Sequence, residues 1–278
     1  MRIALGELAP TLKDVPGNER RVAEIVRAVD VDLAVFPELF LSGYRLGDDV
    51  HRLALDRATL GRSPVAEAVR ETGRSVIVGA PLRSADRPGE VENAALLFRP
   101  DAPVAVQVKR YLPTYGPFEE GTHFTPSDVS LPLDLADARV GLEICYDTFF
   151  PEVSRELALA GAILLVSISA SPVTSLRLFE KILPARAVEN AVPVVYVNRI
   201  GTEDGLVFGG GSGIWDARGE PVPLTATAAV PGGGAESVLV GEVDLSDAPR
   251  WRPFRPVLRD RSTRPGPVAA RAAPRRWT

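Results

Sequence analysis

Two short apolar segments, Arg2-Ile-Ala-Leu-Gly-Glu-Leu8 and Asp32-Leu-Ala-Val-Phe36, flank one amphipathic segment at the start of the chain. The amphipathic segment, residues 18–29, repeats its apolar residues at helical spacing and begins directly after Pro16-Gly17. A strand, a helix and a strand in succession form a βαβ unit, in which the two strands are parallel neighbours. This stretch therefore predicts an α/β protein.

The same alternation of apolar and amphipathic segments continues along the chain. It predicts helices over residues 64–72, 151–160 and 174–190, and strands over residues 75–80, 93–99, 104–109, 139–144, 163–169, 192–198, 206–208, 213–216 and 238–243. The turn residues Pro100-Asp-Ala-Pro103 join two of these strands as a hairpin, so that pair is antiparallel. Spacing alone thus predicts a mixed sheet, without internal repeats.

The composition is that of a soluble globular protein, with 45% hydrophobic and 24% charged residues among 278. Large α/β units reach this length as one core, so we expect one large domain. The single cysteine cannot form an internal disulfide, and with two histidines the chain lacks the clusters of a zinc site, so we expect no metal. Without a signal pattern or an apolar run of membrane-spanning length, we expect a cytoplasmic protein with no membrane partner.

The C-terminal part differs from the rest in charge. The formal net charge is -4, yet residues 249–278 hold nine arginines against one acidic residue, Asp260. This segment is also rich in proline and alanine, with few aromatic residues among the charges, which argues against nucleic-acid binding. We therefore predict one domain over residues 1–248, followed from residue 249 by a tail that is extended or packs on an acidic neighbouring subunit.

Three chemically active residues come directly after predicted strands. Glu38, Lys109 and Cys145 each follow an apolar segment. In open α/β sheets, sites gather just beyond the carboxyl ends of the strands, so these three side chains can meet there. Taken singly, such residues are more often a helix cap, a surface residue and a core residue, and the functional interpretation depends on their common context.

The chemistry of the three residues is complementary. A thiol needs only to lose a proton to become a nucleophile, and a nearby carboxylate, here Glu38, can take that proton. Attack on an amide carbonyl places negative charge on oxygen, which the ammonium of Lys109 and the backbone N–H of Tyr146 are suited to stabilise. The combination predicts nucleophilic attack by Cys145 on an amide.

Three ordered blocks resemble the signature blocks of the nitrilase superfamily of carbon-nitrogen hydrolases. They are Phe36-Pro-Glu-Leu-Phe-Leu-Ser-Gly-Tyr44, Lys109-Arg-Tyr-Leu-Pro-Thr-Tyr-Gly-Pro-Phe-Glu-Glu120 and Glu143-Ile-Cys-Tyr-Asp-Thr-Phe-Phe-Pro-Glu-Val-Ser-Arg155. The resemblance runs from residue 2 to residue 244. It implies a four-layer α-β-β-α sandwich, a homodimer or higher homo-oligomer, and no organic cofactor.

The resemblance also implies a role for each catalytic residue. Glu38 corresponds to the general base, Lys109 to the residue that stabilises the oxyanion, and Cys145 to the nucleophile. The second active-site glutamate of the family falls on Glu120 rather than on Glu119. By the same resemblance, its carboxylate positions Lys109 and the attacking thiol.

Within the superfamily, the chain resembles the glutaminase domain of glutamine-dependent NAD synthetases, in which the positions matching Tyr115, Ser171 and Arg177 hold the substrate glutamine. An arginine can pair with a carboxylate through two parallel hydrogen bonds, so Arg177 is suited to hold an α-carboxylate; alternatively, it caps the helix predicted from residue 174. The family's glycine before this arginine is Leu176 here, which reshapes the predicted pocket. The candidate substrate-binding residues are Tyr44, Tyr115, Tyr146, Ser171 and Arg177.

We therefore predict an amidase that converts a small linear primary amide, glutamine-like or another ω-amide, to a carboxylate and ammonia through a cysteine thioester. The same residues also fit an N-carbamoyl amine hydrolase or a nitrilase. A third alternative is an ammonia-supplying or non-catalytic subunit of a separate synthetase, because no synthetase domain or pyrophosphate-binding loop follows the hydrolase portion. We expect a small amide as the binding partner, and no nucleic acid.

Overall fold

The computed structural model describes residues 1–136, 138–227 and 235–261. The helices are α1 (Val15–Ala28), α2 (Val50–Leu53), α3 (Pro64–Thr72), α4 (Glu120–His123), α5 (Pro151–Leu159), α6 (Leu176–Asn190), α7 (Asp247–Phe254) and α8 (Val257–Asp260). The strands are β1 (Arg2–Glu7), β2 (Leu33–Val35), β3 (Ser75–Arg83), β4 (Val91–Arg99), β5 (Ala102–Val108), β6 (Leu133–Leu135), β7 (Ala138–Ile144), β8 (Leu164–Ser169), β9 (Val194–Asn198), β10 (Ile200–Glu203), β11 (Leu206–Gly209), β12 (Gly213–Trp215), β13 (Thr225–Ala226) and β14 (Ser237–Glu242).

The predicted βαβ unit at the start of the chain is confirmed. Strands β1 and β2 are parallel neighbours, with Ile3 opposite Leu33. Helix α1 begins three residues earlier than the periodicity predicts, because the side chain of Asp14 accepts a hydrogen bond from the Gly17 N–H at 3.0 Å and Pro16 lies in the first turn. A cap and a proline thus set the start of this helix more than its apolar spacing does.

Among the described residues, the strands form two large sheets and a separate hairpin. The first sheet has the order β13-β14-β1-β2-β3-β4-β5, and β1, β2 and β3 are parallel in it. The second has the order β12-β9-β8-β7-β6, with β7, β8 and β9 parallel. The strand predicted at residues 206–208 pairs with β10 in the hairpin, outside the two large sheets. Both large sheets contain parallel and antiparallel strands, whereas the spacing of the segments predicts one mixed sheet.

The apolar residues of β1 show how the layers are arranged, because alternate residues of a strand face opposite sides. Ile3 and Leu5 face the second sheet, where they belong to one core with Val140 and Leu142 of β7. Ala4 faces the other way, into a core shared with α1 and α3. On the far side of the second sheet, a further core joins β8 and β9 to α5 and α6. The resulting α-β-β-α sandwich confirms the fold that the resemblance implies.

The segment that follows residue 248 is helical where the structure describes it. Helix α7 crosses the predicted domain boundary, and Ala248 within it is fully buried. Arg252 donates a hydrogen bond to the Ala162 carbonyl, and Arg255 donates one to the Ala217 carbonyl, each at 2.6 Å. The first part of the predicted tail is therefore not extended and packs on its own chain. Residues 262–278 lie outside the described residues, so a contact with a neighbouring subunit stays a prediction.

None of the helices in the described ranges is long and apolar enough to cross a membrane.

Candidate active site

Glu38 lies in a tight turn directly after β2. Glu38 is 1% exposed. The next residue, Leu39, has a φ of 49°, in the left-handed region. The backbone of this turn crosses Gly79 of β3 so closely that a Cβ at Gly79 would lie 2.3 Å from the Leu39 nitrogen. Only glycine fits at that crossing. This close approach of the two backbone segments places the Glu38 side chain at the end of the first sheet.

Lys109 follows β5 and is fully buried. Its Nζ donates hydrogen bonds to Glu38 Oε1 at 2.6 Å and to Glu120 Oε1 at 2.8 Å. Glu120 is the first residue of the short helix α4, and its side chain is 4% exposed. The structure thus brings together three of the predicted catalytic residues in one buried group of two carboxylates and one ammonium.

Cys145 follows β7 and begins a 3-10 turn, Cys145–Phe149. Its φ of 50° lies in the left-handed region, which costs a residue with a side chain on the order of 1–3 kcal/mol. The residue is partly exposed, and its thiol lies close enough to Glu38, Lys109 and Glu120 for the charges of all three to act on it. Strained conformations of this kind cluster at active sites, where surrounding contacts hold them.

The buried charges shift one another's pKa values. Burial alone lowers the pKa of Lys109, but the carboxylates of Glu120 and Glu38 outweigh it and raise that pKa above its ordinary value. Burial raises the pKa of Glu120 to about 7, against the opposing charge of Lys109. Burial, followed by the negative charge of Glu38, raises the pKa of the Cys145 thiol well above its usual range, while Lys109 lowers it. The thiol is therefore protonated at neutral pH and needs a base at the moment of attack.

Asn93 joins the two carboxylates, and the sequence analysis did not single it out. Its Nδ2 donates to Glu38 Oε1 at 2.8 Å and to Glu120 Oε2 at 3.3 Å, and the residue is fully buried. The backbone N–H of Ala170, just after β8, donates to Glu38 Oε2 at 2.8 Å. The one available signal for Asn93 was its polar character at the start of an otherwise apolar segment. These contacts fix both oxygens of the Glu38 carboxylate.

Two of the five candidate substrate-binding residues are buried. The Tyr44 hydroxyl donates to Glu120 Oε1 at 2.7 Å, so this side chain contacts the carboxylate cluster directly. Ser171 is 2% exposed, and its backbone N–H donates to Asn198 Oδ1 at 2.8 Å.

The other three candidates are partly or largely exposed. The rings of Tyr115 and Tyr146 lie 5.6 Å apart beside the cysteine turn, and Tyr115 is 54% exposed. Arg177 is exposed in the first turn of α6, and its side chain makes no hydrogen bond or ion pair with any described residue. The structure therefore shows no contact between Arg177 and the carboxylate cluster.

The chain belongs to the carbon-nitrogen hydrolase family. The model of that family, described as carbon-nitrogen hydrolase, matches residues 2–253. Together with the amidases described below, this match shows that the protein is a hydrolase.

Two curated relatives differ in how much of their length the chain covers. A glutamine-dependent NAD(+) synthetase from Thermotoga maritima is 35% identical over 230 residues, which are 80% of this chain and 39% of that protein. The chain thus spans about two fifths of the length of such relatives. An (R)-stereoselective amidase from a Pseudomonas species is 33% identical over 215 residues, 76% of either chain. The first relative confirms the predicted resemblance to NAD synthetases.

One solved structure has the same fold at a similar level of identity. A variant of the amidase from Nesterenkonia sp. AN1 is 28% identical and superposes with a TM-score of 0.75, covering 94% of this chain and 93% of its own. That structure shows covalent addition of the acetamide moiety of fluoroacetamide at the active-site cysteine of the amidase.

Proposed function

We propose that the protein is an amidase that hydrolyses a small linear primary amide to a carboxylate and ammonia through a thioester on Cys145. The observation that carries the proposal is the buried group of Glu38, Lys109 and Glu120, whose charges act on this thiol. The amidases among the relatives support the choice of an amide as substrate.

Acylation begins when the Cys145 sulfur attacks the amide carbon. Because the thiol is protonated in the resting site, Glu38 accepts its proton as the new carbon–sulfur bond forms. The carbonyl oxygen becomes an oxyanion, which the Lys109 ammonium and the backbone N–H of Tyr146 stabilise. The intermediate then collapses, the carbon–nitrogen bond breaks, and Glu38 gives its proton to the leaving ammonia.

Deacylation repeats the same proton transfers with water. Glu38 takes one proton from water as the water oxygen attacks the thioester carbon. The carbon–sulfur bond then breaks, and the released carboxylic acid loses its remaining proton to solvent to become the carboxylate. The proton returns from Glu38 to the Cys145 sulfur. Glu120 accepts a hydrogen bond from the Lys109 ammonium, so its role is to hold that ammonium in place.

Two observations support a glutamine-like substrate. Arg177 carries a positive charge with no partner among the described residues, and a carboxylate on the substrate supplies one. The similarity to glutamine-dependent NAD synthetases supports the same choice. We therefore place the substrate amide at Cys145 and its carboxylate near Arg177.

The test is ammonia release by the purified chain from a panel of primary amides, with glutamine, aliphatic amides, an N-carbamoyl amine and a nitrile. The proposal predicts release from one or more primary amides, and none after Cys145→Ala. Turnover of the nitrile or the carbamoyl compound alone contradicts the amide assignment. Activity that survives Cys145→Ala contradicts the mechanism.

A second candidate is an ammonia-supplying or non-catalytic subunit of a separate synthetase. It is favoured by the 35% identity to an NAD synthetase of which the chain spans 39%. The same assay separates the two, because a dependent subunit is nearly silent alone and an independent amidase is not. Assembly into a homodimer and a cytoplasmic location stay predictions, which sedimentation and cell fractionation test.

A further inference from the structure

Asp147 is a buried carboxylate that the proposed mechanism does not use. It lies in the 3-10 turn that Cys145 begins, and it is 1% exposed. Its Oδ2 accepts a hydrogen bond from the Ile144 N–H at 3.2 Å, which is a common local cap for such a turn. Its Oδ1 accepts from two further backbone N–H groups, those of Arg110 at 3.1 Å and Tyr111 at 2.9 Å. The local cap does not explain these last two bonds.

The three donors flank two catalytic residues. Arg110 and Tyr111 directly follow Lys109, whereas Ile144 directly precedes Cys145. Lys109 follows β5 of the first sheet, and Cys145 follows β7 of the second. One carboxylate therefore joins the backbone that carries the ammonium to the backbone that carries the thiol, across the two sheets.

We propose that Asp147 is a positioning residue that sets the distance between the Lys109 ammonium and the Cys145 thiol. This proposal rests on the proposed function, in which Lys109 and Cys145 act in one reaction. Hydrogen bonds to an ionised carboxylate are about twice as strong as those between neutral groups, so the link is strongest above the pKa of Asp147. Burial raises the pKa of Asp147 to about 7, while the charge of Lys109 lowers it.

The test replaces Asp147 by asparagine, which has the same shape but turns one acceptor into a donor that faces a backbone N–H. We expect kcat to fall by about 10²-fold, because a misplacement on the order of 1 Å costs that much, while KM stays within about threefold. The value of kcat is normalised to the concentration of reactive thiol. Thiol labelling gives that concentration directly, because Cys145 is the only cysteine. An unchanged kcat overturns the proposal.

Asp216→Asn is the matched control. Asp216 Oδ1 also accepts two backbone N–H bonds, from Arg218 at 2.8 Å and Glu220 at 3.0 Å, in a turn after β12. A general loss of turn stability lowers the melting temperature of both variants, whereas only Asp147→Asn lowers kcat per thiol. If Asp147→Asn does not fold, Asp147→Ser, which is smaller and keeps one acceptor, replaces it with the same expected outcome.

A double variant separates positioning from an independent role. If Asp147 acts through Lys109, then Asp147→Asn has little further effect on kcat in a Lys109→Met background. If Asp147→Asn lowers kcat by the same factor in the Lys109→Met background as in the parent protein, the proposal is overturned.

Alkylation of Cys145 by iodoacetamide tests the link even if no amide is hydrolysed, so the failure of the proposed function is distinguishable. Loss of the nearby ammonium raises the pKa of the thiol and slows alkylation by about tenfold per unit, although the substitution also removes a negative charge, which has the opposite effect. The charge effect acts with or without the ammonium, so it is measured as the change that Asp147→Asn causes in the Lys109→Met background. If Asp147→Asn changes the alkylation rate by the same factor in that background and in the parent protein, the proposal is contradicted.

Discussion

Lys109 Nζ lies 2.6 Å from Glu38 Oε1, and both side chains are completely buried. Removal of Lys109 leaves buried carboxylates without a cation, which costs about 3–5 kcal/mol in comparable pairs, whereas removal of Glu38 leaves the ammonium paired with Glu120. The pair stands beside the one thiol of the chain, where a proton must be taken up and an oxyanion stabilised. The predictions below test what each member of this group contributes.

Glu38→Gln keeps the shape of the side chain but cannot accept a proton. We expect kcat to fall by about 10²–10⁴-fold, the usual contribution of general acid–base catalysis, with a much smaller change in KM. Steady-state ammonia release measures both. Glu92→Gln is the control, because Glu92 is a buried glutamate bonded to Arg57 and Ser84 outside the site. A comparable loss of kcat in both variants argues against a base at Glu38.

Asn93→Ala removes one side chain that donates to both carboxylates. Hydrogen bonds to charged groups are worth about 1.5–3 kcal/mol, so we expect kcat to fall by about tenfold or more. Asn190→Ala, at a buried asparagine that donates to the Arg186 carbonyl, is the matched control. A kcat that falls no further in Asn93→Ala than in Asn190→Ala contradicts this role.

The stability of the protein depends on pH through Glu120. Its pKa rises from 4.5 to about 7 on folding, so the folded state binds the proton more tightly than the unfolded state. The free energy of unfolding therefore falls as pH rises from 4.5 to about 7, by at most about 1.4 kcal/mol per pH unit from this group. Asp147, whose pKa also rises to about 7, contributes in the same direction.

Denaturant unfolding at several pH values tests this dependence. Glu120→Gln is expected to flatten the slope below about pH 7, whereas Glu119→Gln, at the exposed neighbouring glutamate, leaves it unchanged. The same slope in Glu120→Gln and the parent protein shows that Glu120 does not titrate in this range.

Arg177→Ala tests the proposed carboxylate contact of the substrate. We expect KM to rise by about tenfold for an amide that carries a carboxylate, such as glutamine, and to stay unchanged for an aliphatic amide without one. Lys181→Ala, at an exposed cation on the same helix, is the control. Equal effects on the two substrates contradict a specific contact with Arg177.

The clustering of Glu38 and Lys109, with Cys145 near by, could be predicted from the sequence, because each follows an apolar strand and strand ends gather at one edge. Asn93 could not be predicted in this way. It lies inside β4, and only the antiparallel register that sets it opposite Pro81 brings it to the carboxyl end of β3. Contacts between strands of different sheets, such as the bond from Ala170 to Glu38, depend on the packing of two layers that spacing along one chain does not encode.

The segment after residue 248 is helical in its described part, which its sequence did not predict for a similar reason. Its arginine- and proline-rich composition is typical of a solvated tail. In the structure, Pro249 lies near the start of α7, where proline is tolerated, and Arg252 donates to a carbonyl of the main domain. Composition did not reveal that these arginines have backbone partners.

The central claim is that Cys145 carries the acyl group during turnover, and intact mass after rapid quenching tests it most directly. We predict that the parent protein, mixed with a reactive amide, gains the mass of one acyl group and loses it again as ammonia and carboxylate accumulate. Cys145→Ala is predicted to gain nothing. An equal mass gain in both proteins, or turnover by Cys145→Ala, contradicts the account.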